Sequence, residues 1–234
     1  MIKNLLDYLS IINRKRKYKK ISYSLNGVDL LVDYVFKNKK HGIYLDVGAQ
    51  HPISNNNTYL LYKRGWSGIN IDLDKDNINL FNISRPNDLN LNNAISSKES
   101  IKELYFYHAK SPINTIEKKV SEYQSADVKE IKKIDTTTLN NIINKNRFNK
   151  IDYMNIDVEG HELEVLKGFD LDFFKPDIIS VEYLDLKMNN LEFKNNNLNS
   201  LINSDLYKYL LNKNYIFVNW IHGDVIFVNK SFRN

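Results

Sequence analysis

Residues 151–166 read IDYMNIDVEGHELEVL, and this stretch decides the fold. A short apolar run ends in acidic residues and a glycine, and apolar residues at helical spacing follow, which predicts a buried strand, a polar turn and a helix. Residues 43–48 (IYLDVG) and 68–72 (GINID) are two more short β-branched runs that reach an Asp. Short strands that alternate with helical stretches predict an α/β fold of βαβ units around a mostly parallel sheet.

The rest of the chain continues this alternation. We expect further strands at 89–94, 104–108, 178–183, 215–220 and 224–229, and helices at 27–38, 59–63, 78–81, 138–144, 161–166 and 204–212. His222 and Gly223 separate the last two strands, so a closing hairpin should give the sheet an antiparallel edge. The Asn-rich segment 189–203 predicts a surface loop, with a lid over a binding site as the alternative.

Length and composition exclude several classes of protein. A chain of 234 residues, 42% of them hydrophobic, fits one large domain that needs no covalent staple. Cysteine is absent, which excludes disulfides, thiolate metal sites and cysteine nucleophiles. The first twelve residues do not form a secretory signal, and no apolar run approaches the roughly 20 residues of a membrane span. We therefore predict a cytoplasmic protein.

The positive charge lies in an N-terminal arm. Residues 1–40 carry ten Lys or Arg against three Asp, a net charge of +7. The whole chain has a net charge of +5, so residues 41–234 carry −2. We predict a basic helical arm over 1–40 and one domain over 41–234, with nucleic acid an unexpected partner. One helix face of the arm is apolar and precedes the basic run 14–20; it consists of Ile2, Leu5, Leu6, Leu9 and Ile12. We expect this helix to pack on its own domain. The alternative is that residues 1–20 bind the surface of a membrane, as in a peripheral membrane protein, or contact a glycosyltransferase.

A ligand site is expected where the first two strands end, because open parallel sheets bind ligands at the carboxyl ends of their strands. Asp46 and Gly48 end the first strand, but a dinucleotide fingerprint needs further glycines, which 49–52 (AQHP) does not supply. Asp72 lies 26 residues beyond Asp46, where a carboxylate can receive the ribose hydroxyls of an adenosine; Asp74 is a rival. Asn93 and Ala94, with Asn92, lie where an adenine ring would bind, or form an ordinary turn.

The turn after residue 156 concentrates groups that can exchange protons. Asp157, Glu159 and His161 lie between the strand and the helix, and carboxylates this close raise one another's pKa. Acid and base catalysis is one interpretation; helix capping by the carboxylates and packing of the imidazole is the other. Together with Glu182, these three side chains also have the chemistry to bind a hard divalent ion such as Mg²⁺. Glu162 and Glu164 should lie on a solvated helix face.

These segments resemble the FkbM family of methyltransferases. The matching pieces occur in the family's order at 44–49 (YLDVGA), 54–58 (SNNNT), 65–72 (GWSGINID), 133–139 (KIDTTTL) and 156–166 (IDVEGHELEVL). The resemblance implies a Rossmann-like class I methyltransferase fold with a seven-stranded sheet and helices on both faces. It also implies S-adenosylmethionine as the donor and an oxygen acceptor, often on a sugar of a glycan or natural product.

The resemblance also implies roles by position. The methionine moiety would lie among Asp46, Gly48, Ala49, Gln50 and Thr58. Asp72 would bind the ribose, and Asn93 with Ala94 the adenine. Asp157 and Glu159 would face the methyl group and the acceptor. Our own hypothesis is that Glu159 or His161 removes the acceptor's proton and that Asp157 positions the donor or the acceptor. An extra asparagine before Asn57 and Thr58 departs from the family's loop.

The expected function is thus methylation of a sugar hydroxyl on a glycan or nucleotide sugar. Two alternatives are a nucleotide-sugar or nicotinamide oxidoreductase on a similar sheet, and a non-catalytic binding module tethered by the basic arm. The residues leave the metal requirement and the oligomeric state open.

Overall fold

The structure is a computed structural model that describes residues 2–183 and 198–233. Within these residues seven strands form a central sheet. In spatial order they are β3 (Leu89–Asn92), β2 (Ser67–Asp72), β1 (Ile43–Val47), β7 (Tyr153–Ile156), β8 (Ile178–Glu182), β10 (Asp224–Asn229) and β9 (Tyr215–Ile221).

The described sheet is parallel apart from β10, which runs antiparallel to both β8 and β9. The strand order reverses between β1 and β7, because β2 and β3 extend from one side of β1 and the later strands extend from the other. The predicted Rossmann-like class I methyltransferase fold, a mostly parallel sheet with an antiparallel edge hairpin, is confirmed.

Helices cover both faces of the sheet. In chain order the helices of the described residues, of which α1 does not pack on the sheet, are α1 (Ile2–Tyr18), α2 (Val28–Val35), α3 (Tyr59–Lys63), α4 (Lys75–Ser84), α5 (Lys118–Tyr123), α6 (Leu139–Lys145), α7 (Glu162–Lys167), α8 (Leu171–Phe174), α9 (Leu198–Asn203), α10 (Asp205–Asn212) and α11 (Lys230–Arg233).

Alternation along β1 shows how the two faces arise. Leu45 and Val47 point into a core built with α6, α7 and α10, whereas Tyr44 packs in a second core with α2 and α3. All three side chains are almost completely buried. A strand buried on both faces must be apolar along its whole length, which makes the one charged residue of β1, Asp46, informative.

A second, three-stranded sheet interrupts the βαβ pattern after β3. It contains β4 (Ala94–Ile95), β6 (Glu130–Thr137) and β5 (Ser100–Phe106), with β6 in the middle. The prediction of one strand over 89–94 is therefore wrong. The backbone N–H of Asn93 donates to the carbonyl of Asp72, and the chain then leaves β2 so that Ala94 pairs with Thr136.

The arm prediction is corrected in one respect. Helix α1 forms, but it does not pack on the domain, because residues 3–18 are exposed apart from half-buried Ile12. Helix α2 does pack on the sheet, through Val28 and Val32. The division into 1–40 and 41–234 remains a prediction. In the described part of the chain, every helix is too short or too polar to cross a membrane.

Most of the Asn-rich segment predicted as a loop or lid, 189–197, lies outside the described residues. Residues 198–203 form helix α9 instead of a loop. Leu201 of this helix is completely buried in the core with α10, and that apolar contact stabilises a helix in a segment of low hydrophobicity.

Candidate active site

A pocket of about 270 Å³ lies at the carboxyl ends of β1, β2, β7 and β8, where the strand order reverses. This is the position at which open parallel sheets bind ligands. Ten of the eleven residues predicted for the site line it: Asp46, Gly48, Ala49, Gln50, Asp72, Asn93, Ala94, Asp157, Glu159 and His161. The exception is Thr58.

Gly48 allows the loops after β1 and β7 to touch. Its φ is +79°, and an added Cβ would lie 1.6 Å from the carbonyl oxygen of Asp157. The backbone N–H of Gly48 donates to Ile71 at 2.9 Å, and that of Asp157 donates to Val47 at 2.9 Å. The ends of three strands are thus tied together, and no side chain other than hydrogen fits between them.

Asp46 organises the wall behind this contact. Its buried carboxylate accepts hydrogen bonds from Thr58 at 2.7 Å, from Asn155 at 2.9 Å and from Asn56 at 3.2 Å. Thr58 is completely buried behind Asp46 and does not line the pocket. A direct contact between Thr58 and a methionine moiety stays a prediction. The role of Thr58 is to hold Asp46, whereas Asn56 and Asn57 line the pocket.

Sequence reasoning missed Arg85, which is completely buried although it carries a charge. Its guanidinium donates to the carbonyl of Pro52 at 2.5 Å, to Asn56 at 2.7 Å and to Thr58 at 2.9 Å. It also lies 5.0 Å from the ring centroid of Phe81, within the range of a cation–π contact. Arg85 therefore fixes the loop 50–58. An Arg after a short helix gives no sequence signal for this role.

Asp72 faces the pocket at the end of β2. One carboxylate oxygen accepts from the backbone N–H of Gln50 at 2.9 Å, and the other from Asp74 at 2.7 Å and Asn77 at 3.2 Å. Burial raises the pKa of Asp72 to about 6, and these donors oppose the shift. Each oxygen has two lone pairs, so the carboxylate can still accept hydroxyl donors from a ligand. Asp74, the rival, instead caps α4 by accepting from Asp76 at 2.8 Å.

The side of the pocket predicted to hold an adenine contains Asn93, Ala94 and Ile95. Asn92 points elsewhere, since its side-chain amide donates to the carbonyl of Asp72 at 3.0 Å. Opposite wall residues come from the segment 111–116, between β5 and α5, and were not predicted; they are Ser111, Pro112, Asn114 and Ile116. The sequence gives little indication that these residues line the site, because they follow a strand of the second sheet, which was not predicted.

A cluster of carboxyl groups occupies the other end of the pocket. One oxygen from each of Asp157, Glu159 and Glu182 lies within 4.8 Å of the others. Asp157 follows β7, Glu182 ends β8, and Asp224 begins β10; the antiparallel direction of β10 brings its first residue to this edge. Adjacent strand ends therefore concentrate negative charge at one place.

The cluster raises the pKa of each member. Burial, with the negative charge of Asp157 adding to it, raises the pKa of Glu159 to about 8. Burial raises the pKa of Asp157 to about 6 and of Asp224 to about 7, and it also raises the pKa of Glu182 above its ordinary value. The buried Oε2 of Glu182 has no hydrogen-bond partner among the described atoms. The group as a whole therefore retains protons near neutral pH or binds a cation.

The loop that carries Glu159 is held in an unusual conformation. Glu159 has φ of +55° and Gly160 has φ of +95°. Glu162 accepts from the backbone N–H groups of Val158 at 3.1 Å and Gly160 at 2.9 Å, and Thr115 donates to the carbonyl of Glu159 at 2.8 Å. The prediction that Glu162 is solvated is wrong, because its carboxylate is buried inside this loop. Strained backbone held by such contacts is typical of functional sites.

His161 is almost completely buried, and both of its ring nitrogens are engaged. Nδ1 lies 2.5 Å from a carboxylate oxygen of Glu117, and Nε2 lies 2.9 Å from the hydroxyl of Ser96. The ionised carboxylate can only accept, so Nδ1 donates to Glu117, while Nε2 and the Ser96 hydroxyl share a second hydrogen bond in which either can donate. His161 thus connects α7 to the second sheet and α5 while it lines the pocket.

The pocket as described is acidic. Its described lining contains seven Asp or Glu residues and neither Lys nor Arg. Asp157, Glu159 and Glu182 have the donor atoms for a hard divalent ion, but a proton shared within the cluster offsets the same charge. The electrostatics favour a ligand that brings positive charge to the carboxyl cluster.

The fold and the pocket define a Rossmann-like protein with a pocket at the switch point of its sheet. A family model, the methyltransferase FkbM domain, matches residues 46–217. The chain belongs to the FkbM methyltransferase family, which supports methyltransferase activity.

A solved structure resembles this fold more loosely. The crystal structure of methyltransferase FkbM from Methylobacillus flagellatus KT is 14% identical, with a TM-score of 0.49, and the match covers 81% of this chain and 44% of that chain. This chain therefore spans less than half the length of that protein. Among curated proteins, none matches the chain.

Proposed function

We propose that the chain is an S-adenosylmethionine-dependent O-methyltransferase that acts on a sugar hydroxyl. The observation that carries the proposal is the pocket at the switch point, with Asp72 at one end and the carboxyl cluster of Asp157, Glu159 and Glu182 at the other. The first end suits an adenosine, and the second suits a positive charge and a proton acceptor. Such a two-ended site accounts for the number of carboxyl groups that lie in one pocket.

The described residues fit this donor. Asp72 retains lone pairs for the two ribose hydroxyls, and Asn93 and Ala94 lie beside it for the adenine. Gly48 leaves room for backbone approach, next to the loop that contains Ala49 and Gln50. S-adenosylmethionine, when bound, supplies an electrophilic methyl group on positively charged sulfur. Carboxylates near such a charge attract it, and the shape of the pocket fixes its direction.

Glu159 is the proposed base. A catalytic base works best when its pKa lies near the working pH, and the pKa of Glu159 is raised to about 8. Its carboxylate would take the proton of the acceptor hydroxyl as the oxygen forms its bond to the methyl carbon and the carbon–sulfur bond breaks, which leaves S-adenosylhomocysteine. Asp157 lies beside it and positions the acceptor. His161, the other candidate, has no free ring nitrogen with which to accept a proton.

A neutral sugar on a glycan is favoured over a nucleotide sugar. A diphosphate is bound most readily by Lys or Arg, and the described lining of the pocket contains neither. Carboxylates and amides such as Asn57 and Asp224, in contrast, can form hydrogen bonds with sugar hydroxyls. The two alternative functions have less support. An oxidoreductase would need the glycines of a dinucleotide-binding fingerprint, which the loop after β1 lacks. A non-catalytic binding module does not require carboxyl groups with strongly raised pKa values.

The test is methyl transfer by the full chain. The protein is incubated with methyl-labelled S-adenosylmethionine and panels of neutral glycans and nucleotide sugars, and labelled product and S-adenosylhomocysteine are measured. We expect transfer to a glycan and a rate that rises as pH increases towards about 8, because Glu159 is active when deprotonated.

Two variants and one control locate the base. Glu159→Gln should lower the rate by about 10²- to 10⁴-fold and remove the rise near pH 8 while donor binding persists. His161→Asn should keep that rise. Glu164→Gln is the matched control, because Glu164 pairs with Lys167 at 2.7 Å and lies outside the pocket lining. A Glu159→Gln variant with full activity would refute the assignment.

A further inference from the structure

Helix α1 presents an apolar face that nothing in the described structure covers. Leu5, Leu6 and Leu9 expose 57%, 60% and 52% of their surface. A rotation of 100° per residue places these three with Ile12 on one side of the helix, whereas Lys3 and Asp7 lie on the other. Exposed leucines in a contiguous row indicate a surface that is used for contact.

The apolar face leads directly into a dense positive charge. Residues 2–20 contain seven Lys or Arg against one Asp, and six of the seven lie at 14–20, all exposed. Aromatic and apolar side chains, Tyr18 and Ile21, are exposed beside them. A second copy of the helix would bring two positive clusters together, which is unfavourable. Nucleic acid would pair with the charge but leave the leucines in water.

We propose that residues 2–20 dock on an anionic membrane surface, with the leucine face in the interfacial region and the basic run against acidic headgroups. An amphipathic helix with Lys and Arg beside its apolar face lies in the plane of such an interface. Each basic residue near the surface strengthens binding about fivefold at low salt. The apolar face and the charge are both needed, since either alone binds weakly.

The docked helix would hold the pocket close to the membrane. Tyr23 fixes the chain just after α1: its carbonyl accepts from the backbone N–H of Asn56 at 3.0 Å, and its ring packs on Tyr59 at 4.7 Å. Leu25 then lines the pocket. Six residues separate the end of α1 from Leu25, and the seven Cα–Cα steps span at most about 25 Å when fully extended. A glycan acceptor carried on a membrane lipid would lie within reach.

Vesicle co-sedimentation of the full chain tests this proposal. The vesicles contain phosphatidylcholine alone or with 30% phosphatidylserine, at low and high salt. We expect binding to the anionic vesicles that salt weakens, and at least tenfold weaker binding to the neutral ones. Absence of binding to anionic vesicles, or equal binding to both kinds, would overturn the proposal.

Substitutions in α1 separate the two contributions. Arg16→Gln with Lys17→Gln should weaken binding about 25-fold, and Leu5→Ser with Leu9→Ser at least tenfold. The matched control is Ile83→Ser with Ile131→Ser, which removes two exposed apolar side chains outside α1. Since α1 does not pack on the body, the variants in α1 should keep the unfolding midpoint of the parent. Unchanged binding after the leucine substitutions would mean attraction by charge alone and would contradict the proposal.

Discussion

Replacement of Gly48 by alanine should damage the site far more than the same change at Gly27. Both glycines have a left-handed backbone, with φ of +79° and +85°. An alanine in this conformation costs about 1–2 kcal/mol at either position. The difference is in the surroundings: a Cβ at Gly27 meets no atom within 4 Å, whereas one at Gly48 would lie 1.6 Å from the carbonyl oxygen of Asp157.

The overlap at Gly48 cannot relax by a side-chain rotation, because the atom it meets is backbone. The loops after β1 and β7 must move apart by well over 1 Å, and these loops carry both ends of the pocket. A displacement of about 1 Å in a site can cost about 100-fold in rate. We expect Gly48→Ala to lose donor binding by at least that factor, and Gly27→Ala to bind as the parent does.

Calorimetric titration with S-adenosylmethionine measures the binding, and urea denaturation measures the stability of both variants. Gly27→Ala reports the backbone cost alone, so the excess loss of unfolding free energy in Gly48→Ala reports the contact with Asp157. Equal stability and equal donor affinity of the two variants would refute the account of the loop contact.

The remaining predictions concern buried charge. Glu159→Gln should raise the unfolding free energy by about 1–2 kcal/mol at pH 9 and hardly at all at pH 4. The reason is that the pKa of Glu159 is raised in the folded protein to about 8. The stability of the parent that depends on a protonated Glu159 is therefore fully present below the ordinary pKa of 4.5 and is lost as the pH rises through about 8. Denaturation across pH checks this, with Glu164→Gln as control; a difference that does not grow with pH would contradict it. Arg85→Met should lower the unfolding free energy by about 3 kcal/mol, because it leaves buried acceptors on the loop 50–58 without donors. Lys118→Met, which removes an exposed ion pair with Glu122 at 4.0 Å, should cost about 1 kcal/mol or less; similar losses at both positions would contradict the role of Arg85.

The sequence predicts the sheet well because the information is local. Runs such as 43–47 and 153–156 are apolar on both faces and end in polar turns, so their position and type follow from composition and period. The second sheet is missed for the opposite reason. Its strands pair across long separations, as when Ser100 lies opposite Thr136, and the pattern of exposed and buried residues along β6 is weak.

For the site, the positions of the acidic residues follow from the fold, but their environments do not. Asp46 and Asp72 end neighbouring strands, which is enough to place them at one pocket. Both nitrogens of His161 are engaged because of Glu117 and Ser96, which come from distant segments. Glu162 is buried because the loop 158–160 folds over its carboxylate. The buried Arg85 is likewise explained by a loop 30 residues earlier, not by its own neighbours.

The most direct test of the central claim is calorimetric titration of the full chain with S-adenosylmethionine and S-adenosylhomocysteine, with NAD as the control ligand. The account predicts saturable one-to-one binding of the first two and none of NAD. It also predicts that Asp72→Asn binds both sulfur compounds at least tenfold more weakly than the parent. The control Asp76→Asn changes an exposed carboxylate nearby and should bind them as the parent does. A folded sample that binds neither sulfur compound, or an Asp72→Asn variant that binds both as the parent does, would contradict the account.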